Sequence, residues 1–479
     1  MGLTRKDVLK LAGASAGAAA VGRLGLAGAG ALPQPEAMAQ ASVLGSDSII
    51  TRDVAVIGGG ATGTYAAIRL RDMGKSVAVI ETADRLGGHT HTYTDPATGG
   101  KVDIGVIVWH ELPIVRDWFA RFDVPLEKAS FDSPGMVSKY VDYRTGKEVT
   151  GYTPSDPSAA LGAYAAQLAQ YPYLEAGFDL PNPVPPDLLL PFGDFVKKYD
   201  LGAVVGTIFN FGQGLGDLLR QPTLYVFKNF GLDILRNLQV GFLTTARHNN
   251  SELYEKARAE LGADALLRSR VVATDRDAAG YANILVQTPS GLKIIRAKKL
   301  VVTIPPKLDN LFGFDLDATE AGLFAQFGNS AYYTGLLRNT GIPDNMAVTN
   351  IGQGTAYNLP SLPGVYSISP SGIPGLHQVK YGSPYQLSET SVKADILAGV
   401  KRLRTAGTVD TRTPEFAVFS SHSPFELTVP TGAIKSGFYK KLGALQGRNR
   451  TFYTGAAFHT HDSSLLWQFT EALLPRIAA

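Results

Sequence analysis

Asp53-Val-Ala-Val-Ile-Gly58-Gly-Gly60-Ala-Thr-Gly63 is the stretch of sequence that decides the fold. Its β-branched apolar run predicts a buried strand, and residues 64–73 predict a helix. In the Gly-x-Gly-x-x-Gly pattern between them, Gly58 permits a tight turn and Gly60 leaves room for a pyrophosphate. Gly63 lets helix and strand pack closely. This arrangement is typical of a dinucleotide-binding Rossmann unit.

The residues around this loop complete the unit. Lys75-Ser-Val-Ala-Val-Ile80 predicts a second strand, and Glu81 ends it about 20 residues after the loop, where a carboxylate can hold ribose hydroxyls. Ala61 and Thr62 lie in the loop just before the predicted helix, whose unpaired N–H groups and positive dipole end favour phosphate. The sequence therefore predicts a dinucleotide site on these residues.

Composition narrows the class of protein. A chain of 479 residues with 45% hydrophobic and 18% charged residues is typical of a globular protein with two interleaved domains. A net charge of +3 is too small to indicate nucleic acid or an anionic membrane as a partner. The chain has no cysteine, which excludes disulfides, thiolate metal sites and a cysteine nucleophile.

Residues 1–49 are predicted to lie outside the fold, as a signal or a disordered extension. A basic pair precedes a run rich in Leu, Ala, Gly and Val, and Ala37-Met-Ala39 and Ala39-Gln-Ala41 are small-x-small cleavage candidates. We therefore expect an exported protein. The alternative is an extension retained on a cytosolic enzyme. Lys10 and Arg23 interrupt the apolar run, so no stable membrane anchor is expected.

Later motifs favour FAD over a nicotinamide. Glu81-Thr-Ala-Asp-Arg85-Leu-Gly87-Gly88-His89 resembles the second diphosphate-binding signature of the flavin amine oxidase family. Further blocks follow in that family's order. They are Lys101-Val-Asp103-Ile-Gly105, Arg268-Ser-Arg-Val271, Leu300-Val-Val-Thr-Ile304-Pro-Pro306 and Phe452-Tyr-Thr-Gly455-Ala-Ala457 through Leu466-Trp467.

The resemblance implies specific FAD contacts. Arg85 would neutralise the pyrophosphate, Val271 would contact the adenine end, and the chain after Asp103 would pass the flavin ring. Non-covalent FAD is expected, with His89 and His91 the candidates for a covalent link. The cofactor-binding residues implied beyond the first loop are Arg85, Gly87, Gly88, His89, Gly105, Val106, Ile107, Val271, Gly455, Ala456 and Leu466.

The predicted fold class is α/β, with a Rossmann-type FAD-binding domain and an interleaved α+β substrate domain. The second domain is expected to combine an antiparallel sheet, within residues 312–425, with a helical cap predicted by helical patterns at 192–200, 216–221 and 232–242. The predicted segments are 50–130, 245–310 and 445–479 for the FAD-binding domain and 131–244 and 311–444 for the substrate domain.

Short runs narrow the resemblance to one branch of the family. His89-Thr-His91, Val106-Ile-Val-Trp109-His110 and His461-Asp-Ser-Ser464-Leu-Leu-Trp467 are similar to the fungal β-cyclopiazonate dehydrogenase group. This similarity implies a role in secondary metabolism.

Four side chains are candidates for catalytic contacts. Trp467 and Trp109 would wall the substrate cavity, or else pack in the core. Strand alternation allows only one residue of the pair Tyr332-Tyr333 to face inward. The candidates are Trp467, Tyr333, His461 and Trp109.

Metal binding is not predicted. His459-Thr-His461 could place two imidazoles on one face of a strand, but no clear third ligand accompanies them. A place for His461 beside flavin or substrate is favoured, and an ordinary loop histidine is the alternative.

These observations predict an enzyme that removes a hydride from a C–H next to nitrogen, or from an activated ring carbon, of a hydrophobic small molecule. A tyrosine-rich substrate domain favours an aromatic amine or alkaloid over a polyamine. The alternatives are a flavin-dependent double-bond isomerase and a non-catalytic carrier of the same fold. Many amine oxidases carry a lysine where this chain has Gly335, which puts rapid reaction with oxygen in doubt.

Overall fold

The computed structural model describes residues 46–130, 135–277 and 280–479. The predicted export signal falls in residues 1–45 and so lies outside the described residues. Within the described ranges, no helix is both long enough and apolar enough to cross a membrane.

The strands carry most of the architecture. In chain order they are β1 Ile49–Ile57, β2 Val77–Ile80, β3 Thr92–Thr94, β4 Lys101–Asp103, β5 Leu126–Lys128, β6 Val137–Asp142, β7 Lys147–Glu148, β8 Leu243–Thr245, β9 Ala265–Leu266, β10 Arg270–Asp275, β11 Ala282–Thr288, β12 Gly291–Val302, β13 Gly328–Asn329, β14 Ala331–Arg338, β15 Met346–Asn350, β16 Gly364–Pro370, β17 Leu376–Ser383, β18 Glu415–His422, β19 Leu427–Thr428 and β20 Thr451–Tyr453.

The helices lie between these strands and are named by their bounds. They are Ala61–Asp72, Pro113–Arg121, Ser158–Leu168, Pro186–Leu189, Phe192–Lys198, Val205–Phe211, Thr223–Asn229, Leu232–Val240, Glu252–Leu261, Ala318–Phe324, Glu389–Thr405, Thr431–Lys435, Phe438–Gly443 and Ser463–Ala478.

The first sheet has the order expected of a doubly wound fold. Its parallel part runs β20-β12-β1-β2-β9, and the antiparallel pair β10-β11 extends from the other end of β12. From β1, the chain continues to β2 on one side and later to β12 on the other. The loop after Ile57 therefore lies at a topological switch point, where ligands bind to this fold.

The second sheet runs β18-β14-β17-β16-β15-β6-β7 and is antiparallel except for the pair β15-β6. The prediction that residues 312–425 form strands missed one long helix within that range, Glu389–Thr405. Its buried side chains, Val392, Ile396, Val400 and Leu403, recur at helical spacing and pack on this sheet. This helical spacing was not recognised in the sequence because the segments on both sides of it have strand patterns.

Helices between residues 158 and 240 form the cap. Phe192, Phe195 and Val196 are fully buried there and belong to the core beneath it. The predicted helices at 192–200 and 232–242 match Phe192–Lys198 and Leu232–Val240. The prediction at 216–221 was wrong, because only a short 3-10 turn, Leu218–Arg220, forms there.

Candidate active site

The glycine loop connects β1 to the helix Ala61–Asp72, which begins three residues earlier than predicted. Gly58 has φ +101°, a conformation that favours glycine. A Cβ at Gly63 would lie 1.9 Å from the carbonyl oxygen of Gly58, so close packing of helix and strand requires that glycine.

Gly60 differs from those two glycines. Its φ is −70°, and a Cβ there would meet nothing nearer than the Cα of Gly88, at 3.8 Å. Protein packing alone does not require glycine at this position, whereas close approach of a phosphate does. No side chain of the described residues caps the helix that follows, so its first N–H groups, at Ala61 and Thr62, remain available to an anion.

The second loop, residues 85–90, lies directly against the first. The backbone N–H of Gly87 donates to the carbonyl of Gly59 at 2.8 Å, and Gly88 has φ +55°. Arg85 donates to the carbonyl oxygens of Gly88 (2.9 Å) and Thr90 (2.8 Å). Arg85 therefore holds this loop in shape while keeping positive charge beside the phosphate site.

Glu81 lies at the end of β2, beside the first loop. Its carboxylate accepts from the backbone N–H of Gly59 and of Ala83, each at 2.7 Å. The side chain is partly exposed, so its oxygens can also reach ribose hydroxyls. The two loops and this carboxylate fit the diphosphate and ribose of FAD, which supplies a hydride acceptor when bound.

Beyond the phosphate loops, the predicted flavin-passing residues line a cavity of about 660 Å³. Gly105 is required by packing, because a Cβ there would lie 1.6 Å from the carbonyl oxygen of His89. Ile107 exposes 37% of its surface and lines the cavity, so it offers an apolar surface to a bound ligand. The predicted residues that line the cavity are His89, Gly105, Val106 and Ile107.

The carboxyl-terminal motif borders the same cavity. Gly455 has φ +112° and precedes a short 3-10 turn that begins at Ala456. In the helix Ser463–Ala478 the lining residues are Ser463 and Leu465, whereas the predicted Leu466 is buried and does not line the cavity. Val271 lies on β10, away from the cavity, and pairs with Val286.

The cap covers the cavity with apolar side chains. Phe211 and Leu238 each expose 40% of their surface, and both line the cavity. Other apolar lining residues are Leu168, Tyr171, Leu174, Phe227, Ile234 and Phe242. The cavity therefore suits a mostly apolar ligand.

The predicted orientation of the Tyr332-Tyr333 pair was wrong. Tyr332 lines the cavity, and its hydroxyl donates to Oε1 of Gln213 at 3.1 Å. Tyr333 is fully buried on the opposite face of β14, where its hydroxyl donates to the carbonyl of Leu387 at 2.9 Å. Strand alternation requires that only one of these two tyrosines points into the cavity, but it does not show which one does.

Both predicted tryptophan walls were also wrong. Trp467 is fully buried, stacks on Tyr65 with ring centroids 5.9 Å apart, and donates to the carbonyl of Ala61 at 3.2 Å. Trp109 is fully buried against Phe119. Neither ring lines the cavity, so both tryptophans pack in the core behind the FAD-binding loops.

His461 lines the cavity as predicted and stacks on Phe425, with ring centroids 4.1 Å apart. Its Nε2 lies 3.2 Å from Oε2 of Glu426. His459 also lines the cavity and contacts the carbonyl of Glu175 at 2.9 Å through Nε2. Among the residues that the structure describes, no group of three or more His, Asp or Glu side chains could hold a metal.

The ionisable groups around the cavity favour their neutral forms. Burial lowers the pKa of His89 to about 4 and that of His461 to about 3. Burial also lowers the pKa of Lys228 to about 7 and raises that of Glu426 to about 8. These four buried groups therefore add little charge to the cavity, whose lining carboxylates Glu175 and Asp233 are in ion pairs.

Sequence reasoning missed Lys380, which lines the cavity from β17. It pairs across the sheet with Thr334, next to Gly335, and paired side chains project from the same face. The doubt about oxygen reactivity rested on the absence of a lysine at position 335. Because a neighbouring strand brings a lysine into the same cavity, we withdraw that inference.

His422, Lys228 and Glu426 were also missed. His422 and Lys228 line the cavity, and Glu426 lies behind His461. His422 and Glu426 lie four residues apart, but Lys228 comes from a distant helix, and no known motif joins the three. Strand alternation places Tyr332 and Thr334 on one face of β14. It could have identified His422 as a lining residue only if the pairing of β14 with β18 had been known.

Taken together, the fold and the site define a Rossmann-type flavoprotein. The model of the NAD(P)-binding Rossmann-like domain matches residues 56–122. An FAD-dependent oxidoreductase of Cochliobolus heterostrophus, oblC, is 44% identical over 91% of this chain and 92% of its own length. The β-cyclopiazonate dehydrogenase of Aspergillus oryzae is 36% identical over 92% of this chain and 96% of its own length.

The chain belongs to the family of FAD-dependent oxidoreductases that includes β-cyclopiazonate dehydrogenase. The resemblance inferred from the short motifs is thereby confirmed, as are FAD as the cofactor and oxidoreductase as the class of enzyme. Membership of this enzyme family argues against the alternative of a non-catalytic carrier.

Solved structures agree on the fold. A fatty acid isomerase from P. acnes has a TM-score of 0.71 at 19% identity, over 89% of this chain and 98% of that chain. Putrescine oxidase has a TM-score of 0.60 at 17% identity, over 90% and 99%. Both identities are low, so these structures support the predicted fold class and carry no substrate to this protein.

Proposed function

We propose that this enzyme oxidises a bulky, aryl-bearing amine or alkaloid of secondary metabolism by removing hydride from the C–H next to nitrogen. FAD held by the two phosphate loops and Glu81 would supply the two-electron acceptor for this hydride, and the substrate nitrogen lone pair would form the C=N bond of an iminium product. Apolar side chains of the cap cover the cavity, and Tyr332 and Phe425 supply aromatic surface to its wall.

The observation that carries this proposal is the pairing of every carboxylate that lines the cavity. Glu175 and Asp233 both contact Arg236, at 3.0 and 2.8 Å. Asp462 lies 3.3 Å from Nε2 of His110 and also accepts from a backbone N–H of its own helix. A polyamine needs spaced free carboxylates, and here those groups already have partners.

Anaerobic flavin reduction tests the preference. We expect tryptamine to bleach the flavin absorbance faster than spermidine, with the bleached state persisting until an acceptor is added. Faster reduction by spermidine contradicts the proposal. A product isomeric with the substrate and no net flavin reduction would instead establish a double-bond isomerase.

One substitution sharpens this test. Arg236→Met frees the carboxylates of Glu175 and Asp233. The ratio of the flavin-reduction rate with spermidine to that with tryptamine should therefore rise. Arg247→Met is the matched control, because Arg247 pairs with Glu252 outside the cavity. An unchanged ratio in Arg236→Met would show that the paired carboxylates do not set the preference.

We also propose that the enzyme is exported. The proposal rests on the apolar run and the two small-x-small sites near residues 37–41. Mass spectrometry of protein from the producing cells should find a new N-terminus near residue 40. An intact first segment on protein recovered only from the cytosol contradicts export.

A further inference from the structure

The sheet wall of the cavity contains a histidine with no assigned role. His422 ends β18, pairs with Tyr332 of β14, and exposes only 4% of its surface. It lines the cavity, and its ring lies 4.3 Å from that of His89. His89 directly follows the second phosphate loop, so His422 lies where the FAD-binding residues meet the substrate wall.

Its hydrogen bonds determine which ring nitrogen carries the proton. The hydroxyl of Thr334 donates its single hydrogen to the carbonyl of Ile104 at 2.6 Å. The contact of 3.4 Å between that hydroxyl oxygen and Nε2 of His422 therefore requires Nε2 to be the donor. A neutral imidazole has one N–H, so Nδ1 is left as a bare acceptor.

The ring is neutral at ordinary pH. Burial lowers the pKa of His422 well below its usual range, and the neighbouring His89 and Arg85 act in the same direction.

Nδ1 of His422 is buried and has no hydrogen-bond partner among the described residues. The nearby hydroxyl of Tyr332 cannot supply one, because it donates to Gln213. A buried acceptor without a partner is costly, and such groups in native proteins are generally paired. A donor for Nδ1 can therefore come only from a molecule that occupies the cavity, and a bound ligand would displace water from this position.

We propose that Nδ1 of His422 accepts a hydrogen bond from an N–H group of the substrate bound in the cavity. This inference deepens the proposed function by giving the amine nitrogen, or a second N–H of the substrate, a fixed partner on the sheet wall. FAD also carries an N–H group, so the test must separate the two sources.

Two substitutions isolate the acceptor in the FAD-loaded enzyme. In His422→Gln the amide reaches the position of Nε2, which keeps the contact with Thr334 and loses the acceptor. In His422→Asn the amide reaches the position of Nδ1, so an acceptor remains. The Kd of tryptamine is measured from the dependence of the anaerobic flavin-reduction rate on tryptamine concentration, and the affinity for FAD by titration of the apoprotein.

We expect the Kd of tryptamine to rise about tenfold in His422→Gln and by less than about threefold in His422→Asn, with the Kd of FAD unchanged in both. An unchanged Kd of tryptamine in His422→Gln overturns the proposal. Weaker FAD binding with unchanged tryptamine binding also overturns it, because the donor would then be the flavin.

A second measurement needs no substrate. In ¹⁵N-histidine-labelled holoenzyme, the His422 signals are those that disappear in His422→Gln, and they should show a protonated Nε2 and a bare Nδ1. A protonated Nδ1 overturns the inference. If tryptamine neither binds nor reduces the wild-type flavin, the proposed function fails, while this spectrum still decides the role of His422.

Discussion

The phosphate loops and the redox cavity of this protein are built in opposite ways. The loops lie within residues 58–90 and act mainly through their backbone, so glycines and one carboxylate define them. The cavity is lined from the cap, three strands of the second sheet and the carboxyl-terminal motif. A site made of local backbone can be read from sequence, whereas a site made of distant side chains needs the tertiary structure.

The largest expected effect is on the loops. Gly60→Leu should abolish FAD binding, because its side chain would fill the space that the pyrophosphate needs. FAD content after purification measures this. Gly162→Leu is the control, since Gly162 is exposed on a helix and no atom lies within 4 Å of the position that a Cβ would take there. Stoichiometric flavin in Gly60→Leu would show that the phosphate loop lies elsewhere.

The next effect tests the low charge of the cavity. The raised pKa of Glu426, about 8 against an ordinary 4.5, means that the folded protein holds this proton more tightly. The resulting stability is complete below pH 4.5 and is lost as the pH rises towards 8. Glu426→Gln should remove that loss, which is on the order of a few kcal/mol.

Thermal unfolding of wild type and Glu426→Gln between pH 4.5 and 9 measures this difference. The free energy of unfolding of Glu426→Gln minus that of the wild type should rise from pH 4.5 to pH 8 and stay constant above pH 8. Lys228 has the opposite dependence, because its lowered pKa adds stability as the pH rises from about 7, and since the Glu426 charge raises that pKa, the comparison is repeated in a Lys228→Met background. A difference that does not vary with pH would mean that Glu426 is ionised in the folded protein.

A smaller effect is expected at the ribose site. Glu81→Ala should weaken FAD binding by roughly 1–3 kcal/mol, the usual cost of losing a charged acceptor, while the fold persists. Titration of the apoprotein with FAD gives the affinity, and Glu81→Gln, which keeps one acceptor oxygen, should lose less. Unchanged affinity in Glu81→Ala would remove Glu81 from the ribose site.

The smallest effects separate the two tyrosines. Tyr333→Phe should lower stability by about 1 kcal/mol, because it breaks the hydrogen bonds with Leu387, and should leave tryptamine oxidation unchanged. Tyr332→Phe loses the bond to Gln213, which costs a similar amount of stability, and it should also change the KM for tryptamine by about twofold to fivefold because both side chains line the cavity. The reverse pattern would mean that β14 presents its other face to the cavity.

These residues also show how far the sequence could predict the structure. The loop glycines and Glu81 were predictable because each meets a demand of local backbone or a fixed spacing. The prediction of Tyr333 as the inward-facing tyrosine failed because strand alternation separates the two faces of a strand but does not show which face lines the cavity. Lys380 was missed because it reaches the cavity through pairing with Thr334, 46 residues earlier in the chain. Trp467 was misplaced because a large aromatic residue serves equally as a core residue and as a cavity wall.

The visible spectrum of the purified protein tests most directly whether loops and cavity are two parts of one FAD site. We predict a yellow protein that releases one FAD per chain on denaturation and whose flavin is bleached by substrate without oxygen. A colourless protein that remains colourless after addition of FAD would contradict this.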